Sequence, residues 1–224
     1  MTTWASVVPE VVMYVADCPH WTITEQIRAS AIDYFRTTRL WRSTTPLTLA
    51  TTVAGQGTYT IAGAMPYVDV EVAGLPALWL DNVEIGEALG GALNNIYPGQ
   101  TGTGTIGSGT GQVTSGYRVQ VALVDGTSLQ FLPAPDTAGQ VLKGQVAFRP
   151  TEAAAGIPDT VYALYGRTIR NLAISRLMAM QGKPWSDAKG AMQWRGDYLA
   201  TSMWDSTQQG ARRRTALRTK KANI

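Results

Sequence analysis

Hydrophobic periodicity changes twice along this chain, and that order limits the folds open to it. Helical spacing occupies both ends, and strand-like patterning fills the middle. Val7 to Ala16 is a short apolar segment, in which Pro9 is tolerable only in a first helical turn. Thr22-Ile-Thr-Glu25 reads as a capping box, the hydroxyl and the carboxylate each answering an exposed amide. Behind it Ile23, Ile27, Ala31, Tyr34 and Phe35 share one face, which predicts an amphipathic helix from about Thr22 to about Leu40. Helical spacing returns after Pro158, with Val161, Leu164, Tyr165, Thr168, Ile169, Leu172 and Ala173 as one stripe. Gly182-Lys-Pro184-Trp185 breaks it, and Ser186-Asp187 starts a last helix carrying Ala188, Met192, Leu199 and Met203. Segments from both termini can then close one bundle, each hiding its stripe against the others.

At Pro46 the character changes. LTLATTV, GTYTIA, VDVEV and ALWLDNVEI are β-branched or aromatic runs separated by Gly and Pro. YRVQVALV-DG-TSLQFLP reads as a hairpin, because Asp125-Gly126 suits the left-handed angles of a tight turn. VLKGQVAFRP is one more strand. The fold class expected is α+β: a helical bundle from 1–45 and 151–209, and a central antiparallel β-sheet or sandwich domain over 46–150. Inside that domain, residues 87–116 are so rich in Gly and Thr that they cannot build a core, and they read as a long projecting insertion.

Few residues offer chemistry. Cys18-Pro-His20 holds the single cysteine and the single histidine. The lone cysteine excludes an internal disulfide, and the pair falls short of a structural zinc ligand set. They read as a part-buried thiol and a turn histidine. Asp69 with Glu71, and Asp81 with Glu84, are carboxylates at strand spacing, more in keeping with solvated side chains than with an acid–base couple. Gly102-Thr-Gly104-Thr-Ile-Gly107 matches the dinucleotide fingerprint in letters, but no helix pattern follows it to hold a pyrophosphate. No catalytic triad can be placed, so the expectation is a non-enzymatic chain with no cofactor and no metal. The tryptophans, all but Trp79 in or beside the helical ends, read mainly as joint packing, with some free to anchor an interface. No signal peptide and no apolar run of bilayer length is read, so the chain is expected to be soluble.

The charge is uneven. The chain has 19 basic and 16 acidic residues, a net of +3. Six of the basic residues lie in GARRRTALRTKKANI, so the remainder sums to −3. Residues 210–224 are too polar to bury themselves and read as a flexible basic arm that orders on a partner. Phosphate clamp, protein clasp and solubilising end are the three usual uses of such an arm. Apolar Ala216-Leu217 and Ala222-Asn-Ile224 tilt the balance toward a protein groove.

TEQIRASAIDYFRTTRLWRSTTPLTL and YGRTIRNLAISRLMAMQGKPWSDAKGAMQWRGDYLA, with the late Asp125-Gly126 hairpin between them, resemble the head-to-tail adaptors of short-tailed bacteriophages. These are also called connector or tail-tube-A-like proteins. The resemblance covers roughly half of the chain, and the 87–116 insertion has no counterpart in the pattern. It implies a structural virion protein of the neck, made in the host cytoplasm, that forms a homo-oligomeric ring, twelvefold in the usual case. The ring would sit beneath the portal protein and above the next tail component, a nozzle or a tail fibre or tube protein. Double-stranded DNA would pass through its channel without sequence specificity, and no membrane is involved. The resemblance gives the arm a portal-binding role, with Arg212, Arg213, Arg214, Leu217, Arg218, Lys220, Lys221 and Ile224 as the contact residues. A DNA-binding packaging accessory protein that uses the arm on phosphates is the alternative. An outward-facing glycan-binding β-domain is a third reading.

Overall fold

The computed structural model describes residues 1–61, 66–67, 69–81, 83–88, 104–105, 118–124, 128–132 and 134–221. The chain is of mixed α+β class and divides into two compact units, Met1–Leu40 with Pro150–Ile224, and Trp41–Arg149. Residues 41–45 belong to the second unit, where Arg42 bridges Ala147 and the Ser43 amide donates to the Val146 carbonyl at 2.8 Å.

The first unit is helical. A two-residue strand β1 (Thr2–Thr3) pairs antiparallel with β10 (Gly156–Ile157), so the start of the chain meets the segment that leads into α3. That meeting requires glycine: a Cβ on Gly156 would stand 2.1 Å from the Thr2 carbonyl oxygen. Helix α1 (Trp4–Val12) begins at an N-cap on Thr3 and buries Trp4, Val7, Val8 and Val11. Pro9 lies inside α1, past the first turn where the sequence reading confined it. The apolar face it interrupts is buried on both sides of it, and that burial offsets the one helical bond proline removes.

Helix α2 (His20–Thr38) starts two residues earlier than expected. Pro19 is its N-cap, and the Pro19 carbonyl accepts from the Ile23 amide at 3.1 Å. Thr22 is therefore inside the first turn, and the Thr22–Glu25 capping box does not form. Glu25 pairs with Arg28 instead. The expected face is buried as read: Ile23, Ile27, Ala31, Tyr34 and Phe35.

Helix α3 (Asp159–Met178) packs against α2 and buries most of its stripe, but Leu164 is half exposed. After the break, Asp187 caps helix α4 (Ala188–Lys221), its Oδ1 accepting the amides of Lys189 and Gly190 at 3.0 Å each. The side of α4 that meets α3 carries Ala191, Tyr198 and Asp205. Met192, Leu199 and Met203, expected inside the bundle, are exposed at 72%, 51% and 73%. They stand roughly 100° around the helix from Ala191 and Tyr198, because a single α-helix advances about 100° per residue. The sequence reading thus took the exposed stripe of α4 for its buried one.

Composition argued for an unstructured arm over 210–224, whereas the backbone of α4 continues to Lys221. Ala, Arg, Leu and Lys are strong helix formers, no proline follows Pro184, and the preceding turns supply the nucleus that an isolated arm would lack. Residues 222–224 lie outside the described residues.

The second unit is antiparallel β. Its strands are β2 (Leu47–Thr51), β3 (Thr58–Thr60), β4 (Val70–Leu80), β5 (Val83–Ala88), β6 (Gly104–Thr105), β7 (Arg118–Val124), β8 (Ser128–Leu132) and β9 (Val141–Pro150). Among the described residues they form two four-stranded sheets, ordered β2-β9-β4-β5 and β3-β8-β7-β6. Residues 70–72, from the run VDVEV, and 77–80, from the run ALWLDNVEI, lie in one strand, β4, and the rest of the second run turns at Asp81 into β5. The register of β4 on β5 shifts between Leu75 and Leu78, an irregularity that takes in Pro76, which has no amide to donate. The hairpin pairs β7 with β8 from Gln120↔Leu132 to Val124↔Ser128, with Asp125-Gly126 outside the described residues. Of the 87–116 insertion only Glu87–Ala88, in β5, and Gly104–Thr105, paired with β7, are described. Leu75, Leu78, Leu142 and Phe148 are buried on one sheet, and Leu129 and Phe131 on the other.

Candidate functional site

The residues assigned to portal binding fall on the last turns of α4. Arg212, Arg213, Arg214, Leu217, Arg218, Lys220 and Lys221 lie within the helix, and Ile224 is outside the described residues. Helical backbone changes what this segment is. At 3.6 residues per turn, positions 213, 214, 217, 218, 220 and 221 fall within about 160° of the circumference, with Leu217 near the middle. On the helical backbone the basic positions 213, 214, 218, 220 and 221 share one side with position 217, and position 212 stands outside that arc. The segment also extends past the helix it packs against. The Thr168 hydroxyl donates to Asp205 at 2.8 Å and marks where α3 and α4 cross. From that level α4 runs about 24 Å to Lys221, and α3 only about 14 Å back to Asp159, so the basic end overhangs α3 by about 10 Å.

A buried polar joint anchors this overhang. Asp205 also accepts from the Tyr34 hydroxyl at 2.6 Å, tying α2, α3 and α4 through one carboxylate. Tyr34 is fully buried among Phe35, Tyr165 and Tyr198. Burial, then the bond to Asp205 and its charge, push the Tyr34 hydroxyl far above the ordinary tyrosine range.

A second polar joint lines a cleft of about 250 Å³ formed by α1, α3 and α4. Glu10 is paired there with Arg170 and accepts from the Tyr162 hydroxyl at 3.3 Å. Burial, followed by the Glu10 charge, pushes Tyr162 up to about 12. Tyr14 meets Trp194 edge-on at 4.8 Å, closing the cleft's aromatic side. Its carboxylate and guanidinium oppose each other across α1 and α3, so the joint braces the bundle.

The remaining sequence candidates are placed as follows. Cys18 is buried, and burial raises its thiol, while His20 is exposed as the first residue of α2. No group of three or more metal-binding side chains occurs among the described residues. Glu71 is paired with Arg149 at 2.7 Å, and Asp81 accepts the Val141 amide at 2.8 Å. Of the tryptophans, Trp4 and Trp41 are buried, and the Trp4 indole donates to the Ala154 carbonyl at 2.6 Å. Trp21 and Trp204 are 71% and 64% exposed. Sequence reading missed the open face of α4. The signal was present: Met192, Leu199 and Met203 repeat at steps of seven and four, out of phase with Ala191 and Tyr198.

Among the described residues no helix is long and apolar enough to cross a membrane. No protein-family model matches the chain, and no curated protein matches it.

Proposed function

We propose that this protein is a structural virion subunit, a ring-forming head-to-tail adaptor that docks beneath a portal ring and extends the DNA channel toward the tail. The observation that carries the reading is the last turns of α4: a six-charge segment, centred on Leu217, presented on a helix that overhangs its bundle. A helix end with this run of basic positions around Leu217 suits insertion into an acidic protein groove. Guanidinium groups there make bidentate carboxylate pairs, and leucine fills the floor. The order of helices and strands, which resembles the adaptor layout, supports the same reading. In it the helical unit faces the portal, copies of the chain form the ring, and the distal tail component attaches below. DNA passes without sequence recognition, and the location is the virion neck.

The test is co-sedimentation of the purified chain with portal rings, with and without residues 210–224. Binding by the full chain and loss of binding on truncation are expected. Equal binding by the truncated chain would sink the clasp role. The DNA-binding alternative is separated by salt. Six phosphate contacts give a slope of log affinity on log salt of roughly −5. The adaptor reading expects a slope near zero on duplex DNA at the salt that preserves portal binding.

A further inference from the structure

We propose that the open face of α4 is a self-pairing seam, on which a second copy of this chain lays its own α4 antiparallel. The inference starts from the burial pattern and stands independently of the adaptor reading. Met192, Leu199 and Met203 are exposed at 72%, 51% and 73%, although three unpaired large apolar side chains in line are costly to leave in water. Gly196 lies between them, and a Cβ built on it would meet nothing within 4 Å. Exposed knobs therefore alternate with an open hole.

The spacing selects what covers them. From Met192 the face steps by four and three residues, the alternation that keeps a helix seam against another helix. The same steps reach Leu217, so the seam spans close to four heptads, with apolar residues at positions 192, 199, 203 and 217 and Gly196, Ser206, Gly210 and Arg213 between them. A sheet edge or an extended peptide has no use for that repeat. This chain supplies a helix that does, and its seam is complementary to itself when reversed. Antiparallel pairing about the midpoint sets Met203 against Ser206 and Leu199 against Gly210. It sets Gly196 against Arg213, and Met192 against Leu217. Large positions meet small ones in the inner layers, and apolar meets apolar at the ends. Exposed Asp197, next to Gly196 in the chain, puts a negative charge beside the register position of Arg213.

Orientation follows from charge. A parallel pair would set two segments of six positive charges side by side, which Coulomb repulsion opposes. The antiparallel pair places them at opposite ends. Two helices zipped over about 38 Å bury on the order of 1,000 Å², the threshold for a specific interface.

The experiment is sedimentation velocity on the full chain across a concentration series. A monomer–dimer equilibrium is expected. Met203→Lys weakens the dimer by about 100-fold, because each dimer then carries two lysines in its central layers. Met203 is exposed in the single chain, so at concentrations where the parent is monomeric the variant's circular dichroism and denaturation midpoint match the parent's. Register is read by cysteine pairing, with the native Cys18 buried. A mixture of Leu199→Cys and Gly210→Cys chains forms a crosslinked dimer on oxidation, and neither variant does so alone. A chain that stays monomeric at every concentration, or dimerises as well with Met203→Lys, overturns the seam. A Leu199→Cys chain that crosslinks to itself overturns the antiparallel arrangement.

Discussion

Asp205 shows how much one side chain can hold together without announcing itself in the sequence. It sits in a polar stretch of α4 and reads there as another solvated acid. Its carboxylate is instead the acceptor for hydroxyls from two other helices, Tyr34 and Thr168. The apolar setting of Tyr34 was legible, because Ile23, Ile27, Ala31 and Phe35 repeat around it. The polar end of Tyr34 was not, because its partner is 171 residues away. Asp205→Ala leaves two hydroxyls without an acceptor, one of them fully buried, and is expected to destabilise the helical unit by about 2–4 kcal/mol in denaturant titration. Tyr34→Phe, which leaves Thr168 on the carboxylate, is expected to cost about 1 kcal/mol. The same joint makes stability depend on pH at the alkaline end. The folded pKa of Tyr34 is raised, so above pH about 10 the unfolded chain ionises this tyrosine while the folded chain keeps it protonated. Its contribution is fully present below that pH and is lost as pH rises. The slope attributable to Tyr34 approaches about 1.4 kcal/mol per pH unit. Between pH 10 and 11 Tyr34→Phe should show a shallower decline than the parent. Parallel curves would remove Tyr34 as the cause.

At the scale of elements, the sequence was most informative where local chemistry decides and least where distant contacts do. Ser186-Asp187 marked the start of α4, and Asp187 does cap it, so Asp187→Ala should lower the denaturation midpoint by about 1 kcal/mol of stability. Pro19, by contrast, took the N-cap of α2 from Thr22, since proline gives up no amide there and its carbonyl still opens the ladder. β4 runs through Gly74-Leu75-Pro76, which read as a separator, because pairing with neighbours on both sides tolerates local shifts of register. The contact of β1 with β10 could not have been read at all. It joins Thr2 to Ile157, and only the absence of a Cβ on Gly156 permits it. Gly156→Ala should cost about 1–3 kcal/mol and open this two-stranded base, giving faster amide exchange at Trp4, whose amide donates to the Ala155 carbonyl at 3.0 Å. Unchanged exchange at Trp4 would mean that the strand pair shifts to accept the methyl group.

At the scale of the molecule, the two faces of α4 impose an order of events. The proposed antiparallel seam uses Met192 to Leu217, and the proposed portal clasp uses Arg212 onward, so the segment around Arg213 and Leu217 belongs to both proposals. One copy of α4 cannot make both contacts at once. A twofold pair is also isologous, whereas neighbours in a ring larger than two meet through unlike surfaces, so the pair is not the ring contact. On these two proposals, the pair is a form in which the free chain covers its apolar stripe until a stronger partner displaces the second copy. The exchange then has a kinetic signature. With the parent chain in its dimeric range, association with portal rings is limited by dimer opening, and the observed rate levels off as portal concentration rises. Met203→Lys, monomeric at the same concentration, should bind with a rate that keeps increasing with portal, and with the same final occupancy, since the substitution lies outside residues 210–224. Two identical saturating curves would show that pairing and docking do not compete. A Met203→Lys chain that fails to bind would place the seam itself in the portal contact.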